Sequence, residues 1–207
     1  SLPFSLYSDA GDDQPLLRGG QLLTPADYQN LDRSTLYFRR SMLAAYGRYL
    51  DGRSQQTLAD DAVSLSALVE SGRVGLLALF DEPSAADRLL ASRRWAQRIV
   101  GRVAPFSWMQ LMPLMPQSAA VAASSVRCAL AISVLGRVSG WAERSQVELT
   151  WAALIHALGH TMSLSHSHQD DFQTLLPLIT ADGPISAQLY GALRSYRERR
   201  DGRGLRG

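Results

Sequence analysis

Apolar side chains recur every three or four residues along most of the chain, which is the spacing of amphipathic helices. Six stretches show this pattern and each predicts a helix, namely 57–71, 84–100, 118–139, 146–160, 173–178 and 185–197. A further helix is predicted after Ser34, where the same spacing is followed by Leu36, Leu43, Tyr46 and Leu50. The pattern therefore indicates a mainly α fold.

Glycine, proline and capping residues predict where some of these helices begin and end. Gly72 follows the stretch 57–71 and predicts its end, whereas Ser145 with Glu148 forms a capping box that predicts a start at 146. Three prolines interrupt the chain between 105 and 116 and predict a connector. Since Met and aromatic side chains fill irregular gaps well, we expect its apolar residues to lie in the core, namely Trp108, Met109, Leu111 and Met112.

The first 24 residues alternate short apolar runs with turn residues instead. Phe4, Leu6 and Tyr7 form one run, and Leu16 with Leu17 begins another after a cluster of Asp and Gly. Thr24 followed by proline is a strong helix start, so a helix is predicted near 25–33. We therefore predict a short β-containing segment in front of the helices.

The composition is that of a globular chain without a strong charge bias. With 207 residues, 46% of them hydrophobic, the chain can bury a core. We expect a small β-containing segment over 1–33, a helical linker region and the start of a bundle over 34–117, and a helical domain over 118–207. The net charge of +2 gives no reason to expect nucleic acid or a membrane surface as a partner. No unbroken apolar run reaches the roughly 18 residues that predict a membrane span.

Cys128 is the single cysteine, so no intrachain disulfide can form and a reducing cytoplasm fits the sequence. Its apolar neighbours predict that it is buried. Near the C terminus, 194–206 holds six arginines against two acids. Such a run is usually a solvated helix end. The alternative is contact with a phosphate or a partner through four of the guanidinium groups, on Arg194, Arg197, Arg199 and Arg200.

All four histidines lie between 156 and 168, namely His156, His160, His166 and His168. The first two are four residues apart on one predicted helix, so their rings can converge. Four imidazoles could bind a transition metal. The alternative is that they are ordinary core, helix-end and surface histidines. The helix is not that of a zinc metalloprotease, because Ala157 stands where that chemistry needs a glutamate.

Four segments resemble the HD-GYP family of HD-domain phosphohydrolases, and they occur in the order of that family. Residues 152–160 (AALIHALGH) are similar to AALLHDIGK, and 196–206 (YRERRDGRGLR) are similar to HHERxDGxGYP. The segment 168–176 resembles HPEIGAELL, and 124–129 (SSVRCA) resembles HSxRVA. Residues 17–24 resemble the β segment that precedes many such domains.

The resemblance implies an HD-domain-like helical bundle preceded by a short β-containing segment, and a place in bacterial cyclic di-GMP signalling. Active members of the family are phosphodiesterases that open cyclic di-GMP with iron or manganese ions. Their chemistry requires a carboxylate that bridges the metals and histidines around them, so that a metal-bound hydroxide attacks phosphorus.

Carried over residue by residue, most of the family's ligand positions hold side chains that do not replace the original ligand. The upstream histidine is Ser124, the bridging aspartate is Ala157, and the two adjacent histidines near the C terminus are Tyr196 and Arg197. The lysine often placed to meet substrate phosphate is His160. Two histidines survive at ligand positions, namely His156 and His168. The surrounding motif frame is retained, namely Gly159, Glu198, Asp201, Gly202 and Gly204.

This substitution pattern predicts a non-catalytic regulatory or protein-interaction module. The expected partner is a diguanylate cyclase (GGDEF) domain, another cyclic di-GMP signalling protein, or a second copy of the chain. Three alternatives stay open. One is a receptor that binds cyclic di-GMP without hydrolysing it, and another is a phosphodiesterase with a rebuilt histidine site. The third lies outside this family and is a generic helical interaction domain whose likeness to the motifs is fortuitous. No cofactor is expected for the non-catalytic module, whereas a rebuilt site would hold one transition metal at the histidine cluster.

Overall fold

The computed structural model describes residues 2–24, 27, 36–55, 61–83, 85–118, 120–163, 171–180 and 185–195. Within these ranges it contains eight α-helices, which confirms the mainly α prediction. In chain order they are α1 (Leu43–Gln55), α2 (Asp61–Asp81), α3 (Ala86–Val103), α4 (Trp108–Leu111), α5 (Val121–Val138), α6 (Glu143–Ser163), α7 (Asp171–Thr180) and α8 (Ala187–Ser195). Short 3-10 turns cover Arg40–Met42 and Met112–Leu114.

Helix α6 lies at the centre of one large hydrophobic core. It packs most extensively against α5 and also contacts α3, α7 and α8. Its side chains Leu154, Ile155 and Leu158 are almost completely buried. Burial of such side chains stabilises a fold by about 1.5–3 kcal/mol each. Because α6 also carries the start of the histidine segment, the core fixes where that segment begins.

Arg137 of α5 binds the C-terminal end of α3. Its guanidinium donates hydrogen bonds to the carbonyl oxygens of Val103 at 2.9 Å and Phe106 at 2.8 Å, and it also bonds Ala104. The last carbonyls of a helix have no partners inside the helix, and a cation near them is electrostatically favourable. Arg137 therefore ties α5 to the end of α3.

By length and composition, α5 could cross a membrane, with a mean hydropathy of 1.5 over its 18 residues. It is the one helix in the described part of the chain that meets this test. Half of the helix is buried inside the structure, where it packs against α6, and core helices pass the same test. Arg127 and Arg137 also interrupt its apolar sequence. These observations fit a core helix.

The sequence predicted that Gly72 ends α2, but Gly72 lies in the middle of the helix. A Cβ atom at this position would come within 2.6 Å of the Trp95 Nε1 atom on α3. The glycine thus allows the indole to pack directly on the backbone of α2. There the indole donates a hydrogen bond to the Leu68 carbonyl oxygen at 2.6 Å. The prediction was wrong because the reason for this glycine lies on another helix.

The N-terminal segment contains isolated bridges rather than strands among its described residues. Leu6 pairs in the antiparallel sense with Leu17, and Tyr7 pairs with Tyr37. Phe4 packs edge-on against the ring of Tyr46 from α1, with ring centroids 5.2 Å apart. The short apolar runs therefore form a small core against α1, although the β segment itself is not present as strands.

The start of the first long helix differs from the prediction. Leu36 precedes the 3-10 turn and is not helical, because Tyr37 is held in its bridge to Tyr7. The predicted helix near 25–33 lies outside the described residues apart from Asp27. The Asp27 carboxylate accepts hydrogen bonds from the backbone N–H and the hydroxyl of Thr24, which hold the pKa of Asp27 below its ordinary value.

Two further predictions were wrong for reasons of tertiary packing. Ser145 and Glu148 form no capping box, because α6 already begins at Glu143. Three of the four connector residues predicted to be core are exposed, namely Trp108 at 39%, Met109 at 74% and Met112 at 47%. The fourth, Leu111, is fully buried. Periodicity gave no indication of which face of α4 would meet the bundle.

Candidate functional site

His156 lies on α6, between the buried face of the helix and solvent. Its Nδ1 atom is 2.7 Å from the carbonyl oxygen of Ala153, one turn earlier. Since a carbonyl oxygen only accepts, Nδ1 carries the proton in this hydrogen bond. Metal-binding histidines are commonly oriented by a hydrogen bond of this kind. This hydrogen bond therefore fixes the orientation of the His156 ring on α6.

Ala157 follows His156 and is buried, with 7% of its surface exposed. It occupies the position that corresponds to the metal-bridging aspartate in the resemblance. A methyl group offers no lone pair to a metal ion, and hard cations such as manganese prefer carboxylate oxygens. Ala157 is therefore a buried methyl group, without an oxygen ligand, at the position that the resemblance assigns to the bridging aspartate.

A cavity of about 450 Å³ lies beside His156, between α5, α6 and α8. Most of its wall is apolar, and the lining residues are Cys128, Ile132, Trp141, Leu149, Ala152, Ala153, His156, Ala192 and Leu193. The polar side-chain groups among these residues are one imidazole, one thiol and one indole. None of the lining residues, all of them within the described ranges, carries a carboxylate.

Ser124, at the position of the upstream histidine, has a structural contact. It lies in the first turn of α5, where its hydroxyl oxygen is 3.3 Å from a guanidinium nitrogen of Arg127. The same guanidinium donates hydrogen bonds to the carbonyl oxygens of Pro116 at 2.6 Å and Ser118 at 2.7 Å. Ser124 and Arg127 thus hold the connector against the start of α5.

Cys128 is exposed rather than buried, so that prediction was wrong. It lies one helical turn after Ser124, on the wall of the His156 cavity. Sequence reasoning missed Cys128, Ile132 and Trp141 as cavity residues. The i,i+4 spacing of Ser124 and Cys128 could have suggested that both face the same side of α5.

The other predicted site residues are only partly described. Arg194 is exposed near the end of α8, directly after two residues that line the cavity. Gly159 and His160 belong to the last part of α6, but the His160 side chain lies outside the description. Also outside the described residues are His166, His168, Arg197, Glu198, Arg199, Arg200, Asp201, Gly202 and Gly204.

The described residues do not by themselves fit a two-metal centre. No group of three or more potential metal-ligating side chains occurs within the part of the chain that the structure describes. The His156 cavity offers one imidazole and one thiol, which suit soft or borderline metals better than manganese.

The protein is a helical bundle, and its central helix α6 carries His156 next to the buried Ala157. No family model matches this sequence, and no curated protein matches it. Among solved structures, the chain is similar to Bd1817, described as an HDG"Y"P protein, from Bdellovibrio bacteriovorus. The match has a TM-score of 0.63 and 16% sequence identity, and it covers 98% of this chain and 75% of that chain. The chain therefore has an HD-GYP-like fold, as the motifs predicted.

Proposed function

We propose that this chain is a non-catalytic HD-GYP-like module that acts by protein contact in cytoplasmic cyclic di-GMP signalling of a bacterium. The observation that carries this proposal is the pair His156 and Ala157 on α6. The scaffold that presents the site is kept, whereas the residue at the bridging position is a buried alanine. A fold without its metal ligands can still present a surface to another protein, which supports a regulatory role.

The chemistry of the His156 cavity supports the absence of phosphodiester hydrolysis. A metal-bound hydroxide needs a site that fixes the metal and leaves a position open for water. The described wall is mostly hydrocarbon and supplies no carboxylate. Even loss of an outer hydrogen-bonding partner costs metal affinity or activity about 10–100-fold, and here the first-contact residues themselves are changed.

Exposed apolar residues support a role in protein contact. Trp108, Met109 and Met112 form part of one short connector and are all substantially exposed. Aromatic residues and Met are enriched at protein interfaces relative to the rest of a protein surface. A diguanylate cyclase domain or another cyclic di-GMP signalling protein is the partner implied by the fold resemblance, and a second copy of the chain is the alternative.

Metal content and turnover, measured on the same preparation, test the non-catalytic part. The chain is purified without chelator, its bound metals are quantified by mass spectrometry, and cyclic di-GMP is then incubated with added Mn²⁺ or Fe²⁺. We expect no stoichiometric metal and no cleavage. Stoichiometric metal together with turnover that is lost in His156→Ala would replace the proposal with a rebuilt hydrolase.

Binding measurements test the regulatory part. The chain is titrated with purified diguanylate cyclase domains from the same organism, and the Trp108→Ala and Met109→Ala double variant is compared with wild type. We expect binding that the double variant weakens. Saturable heat with cyclic di-GMP, without any protein partner, would instead favour a receptor that binds the nucleotide and does not hydrolyse it.

A further inference from the structure

A second cleft, separate from the His156 cavity, lies where α1, α2 and α3 meet. Its volume is about 330 Å³, at the lower end of the roughly 300–1,000 Å³ typical of small-molecule sites. It shares no lining residue with the His156 cavity. Glycines line it at Gly47, Gly72 and Gly75, and a Cβ added at Gly75 would meet nothing within 4 Å. Missing side chains therefore help to create the space.

The floor of this cleft presents hydrocarbon to a ligand, because its polar atoms are already bonded. The Trp95 indole N–H donates to the Leu68 carbonyl oxygen at 2.6 Å. The Ser92 hydroxyl donates to Leu89 at 2.7 Å and accepts from the Trp151 indole N–H at 2.9 Å. The Ser71 hydroxyl donates to the same Leu68 carbonyl at 2.8 Å. A ligand that enters the floor therefore needs an apolar body.

The mouth of the cleft is positively charged. Three arginines line it against one aspartate, and two of these arginines already have carboxylate partners. Arg98 lies 3.0 Å from Asp51, and Arg88 lies 2.9 Å from Glu82. The third, Arg48, is exposed, and across the described ranges it has neither an ion pair nor a hydrogen bond. Arg48 is thus the guanidinium available to an incoming anion.

We propose that this cleft binds a small amphipathic anion, with an apolar aliphatic or aromatic body on the floor and a carboxylate at Arg48. A guanidinium matches a carboxylate through two parallel hydrogen bonds, which favours this head group over a neutral one. A cationic ligand would meet Arg48, Arg88 and Arg98 at the mouth and is disfavoured. This assignment does not depend on the function proposed above.

The cleft also reaches the helix that carries the degenerate site. Leu154 of α6 lines its floor and lies two residues before His156. A ligand on the floor would therefore touch the same rigid helix from the opposite side of the core. The cleft and the His156 cavity are therefore both lined by residues of α6.

Calorimetric titration of the full chain with octanoate tests the site, with 1-octanol as the neutral probe of similar size. We expect saturable binding of octanoate and clearly weaker binding of octanol. Arg48→Gln should weaken the binding of octanoate about tenfold, as expected for the loss of a charge-assisted hydrogen bond. Arg94→Gln is the matched control, because Arg94 is exposed on α3, does not line the cleft and loses the same charge.

A filling variant locates the ligand. Gly75→Leu should abolish octanoate binding by occupying the open space, and it should fold because leucine favours a helix over glycine by about 0.5–1 kcal/mol. Thermal melts of each variant confirm that the fold is kept. The proposal is overturned if octanoate fails to bind wild type, if octanol binds as well as octanoate, or if folded Arg48→Gln and Gly75→Leu both bind octanoate like wild type.

Discussion

The Ser186 hydroxyl donates a hydrogen bond to the carboxylate of Glu148, a buried residue of α6, at the point where α8 begins. Ser186 also accepts a hydrogen bond from the backbone N–H of Leu189 at 3.0 Å, as the residue before a helix commonly does. The second oxygen of Glu148 is 3.2 Å from the exposed Arg144. One buried carboxylate therefore fixes the start of α8, which forms part of the wall of the His156 cavity.

Ser186→Ala should destabilise the fold by about 1–2 kcal/mol, because it removes a helix cap and leaves a buried carboxylate oxygen without its partner. The free energy of unfolding, measured with chemical denaturant, checks this value. Ala187→Ser is the control, since Ala187 is exposed at the next position and should change stability little. A Ser186→Ala effect no larger than that of the control would mean that the Glu148 contact contributes nothing.

Gly72→Ala and Gly75→Ala should change stability in opposite directions, although both replace a glycine inside α2. At Gly72 the new Cβ would collide with the Trp95 ring, and overpacking of this kind costs about 1–3 kcal/mol. At Gly75 the Cβ meets nothing, so the better helix propensity of alanine should stabilise the fold by up to about 1 kcal/mol. Melting temperatures of the two variants decide the matter, and equal shifts would contradict the packing described for Trp95.

Ser133→Ala should stabilise the protein by about 1 kcal/mol, since its buried hydroxyl has no hydrogen-bond partner among the described residues. The matched change is Ser92→Ala on α3. The Ser92 hydroxyl bonds both Leu89 and Trp151, so its loss should destabilise by about 1–2 kcal/mol. Denaturation midpoints of both variants are compared with wild type. Destabilisation by Ser133→Ala would indicate a partner for this hydroxyl.

Stability should fall as the pH rises from 10 towards about 12, in part because of Tyr46. Burial and, to a smaller extent, the neighbouring carboxylate of Glu70 together raise the pKa of Tyr46 to about 12. In the unfolded chain the pKa returns to its ordinary value of 10.0. Between pH 10 and about pH 12, Tyr46 is deprotonated in the unfolded chain but still protonated in the folded protein. The contribution of Tyr46 to the free energy of unfolding is therefore complete below pH 10 and is lost as the pH rises towards about 12.

Tyr46→Phe should reduce this alkaline loss of stability. Because the chain contains no lysine, tyrosines are the main side chains that titrate in this range. Urea unfolding at neutral pH and at a pH between the two values measures the effect. Tyr37→Phe serves as the control because Tyr37 is 41% exposed. If the two variants lose stability equally on the alkaline side, Tyr46 does not have the raised pKa.

Native Cys128 should react with a thiol reagent at one equivalent per chain without denaturant, because it is exposed and is the single cysteine. Reaction kinetics followed by absorbance provide the measurement, and Cys128→Ser is the blank. If the thiol reacts only after unfolding, Cys128 is buried, as the sequence predicted, and is not exposed. The reaction also offers a reporter on the wall of the His156 cavity.

The sequence by itself determined the helical class, the first half of α2, the approximate positions of α3 and α5 to α8, and the likeness to the HD-GYP fold. These features are local, because apolar spacing and short motifs are written in consecutive residues. The resemblance also assigned Ala157 to the position of the bridging aspartate, and this assignment stays a prediction because it depends on one position in one motif.

Only the tertiary structure decided which residues of each helix contact another helix. Gly72 was predicted to end a helix, but it is a glycine because the ring of Trp95 packs against it. Glu148 was predicted to cap its own helix, but its carboxylate binds Ser186, 38 residues away. Cys128 lies beside apolar neighbours in the chain but at the edge of a cavity in space. Burial depends on contacts between distant segments, and sequence neighbours carry no record of those contacts.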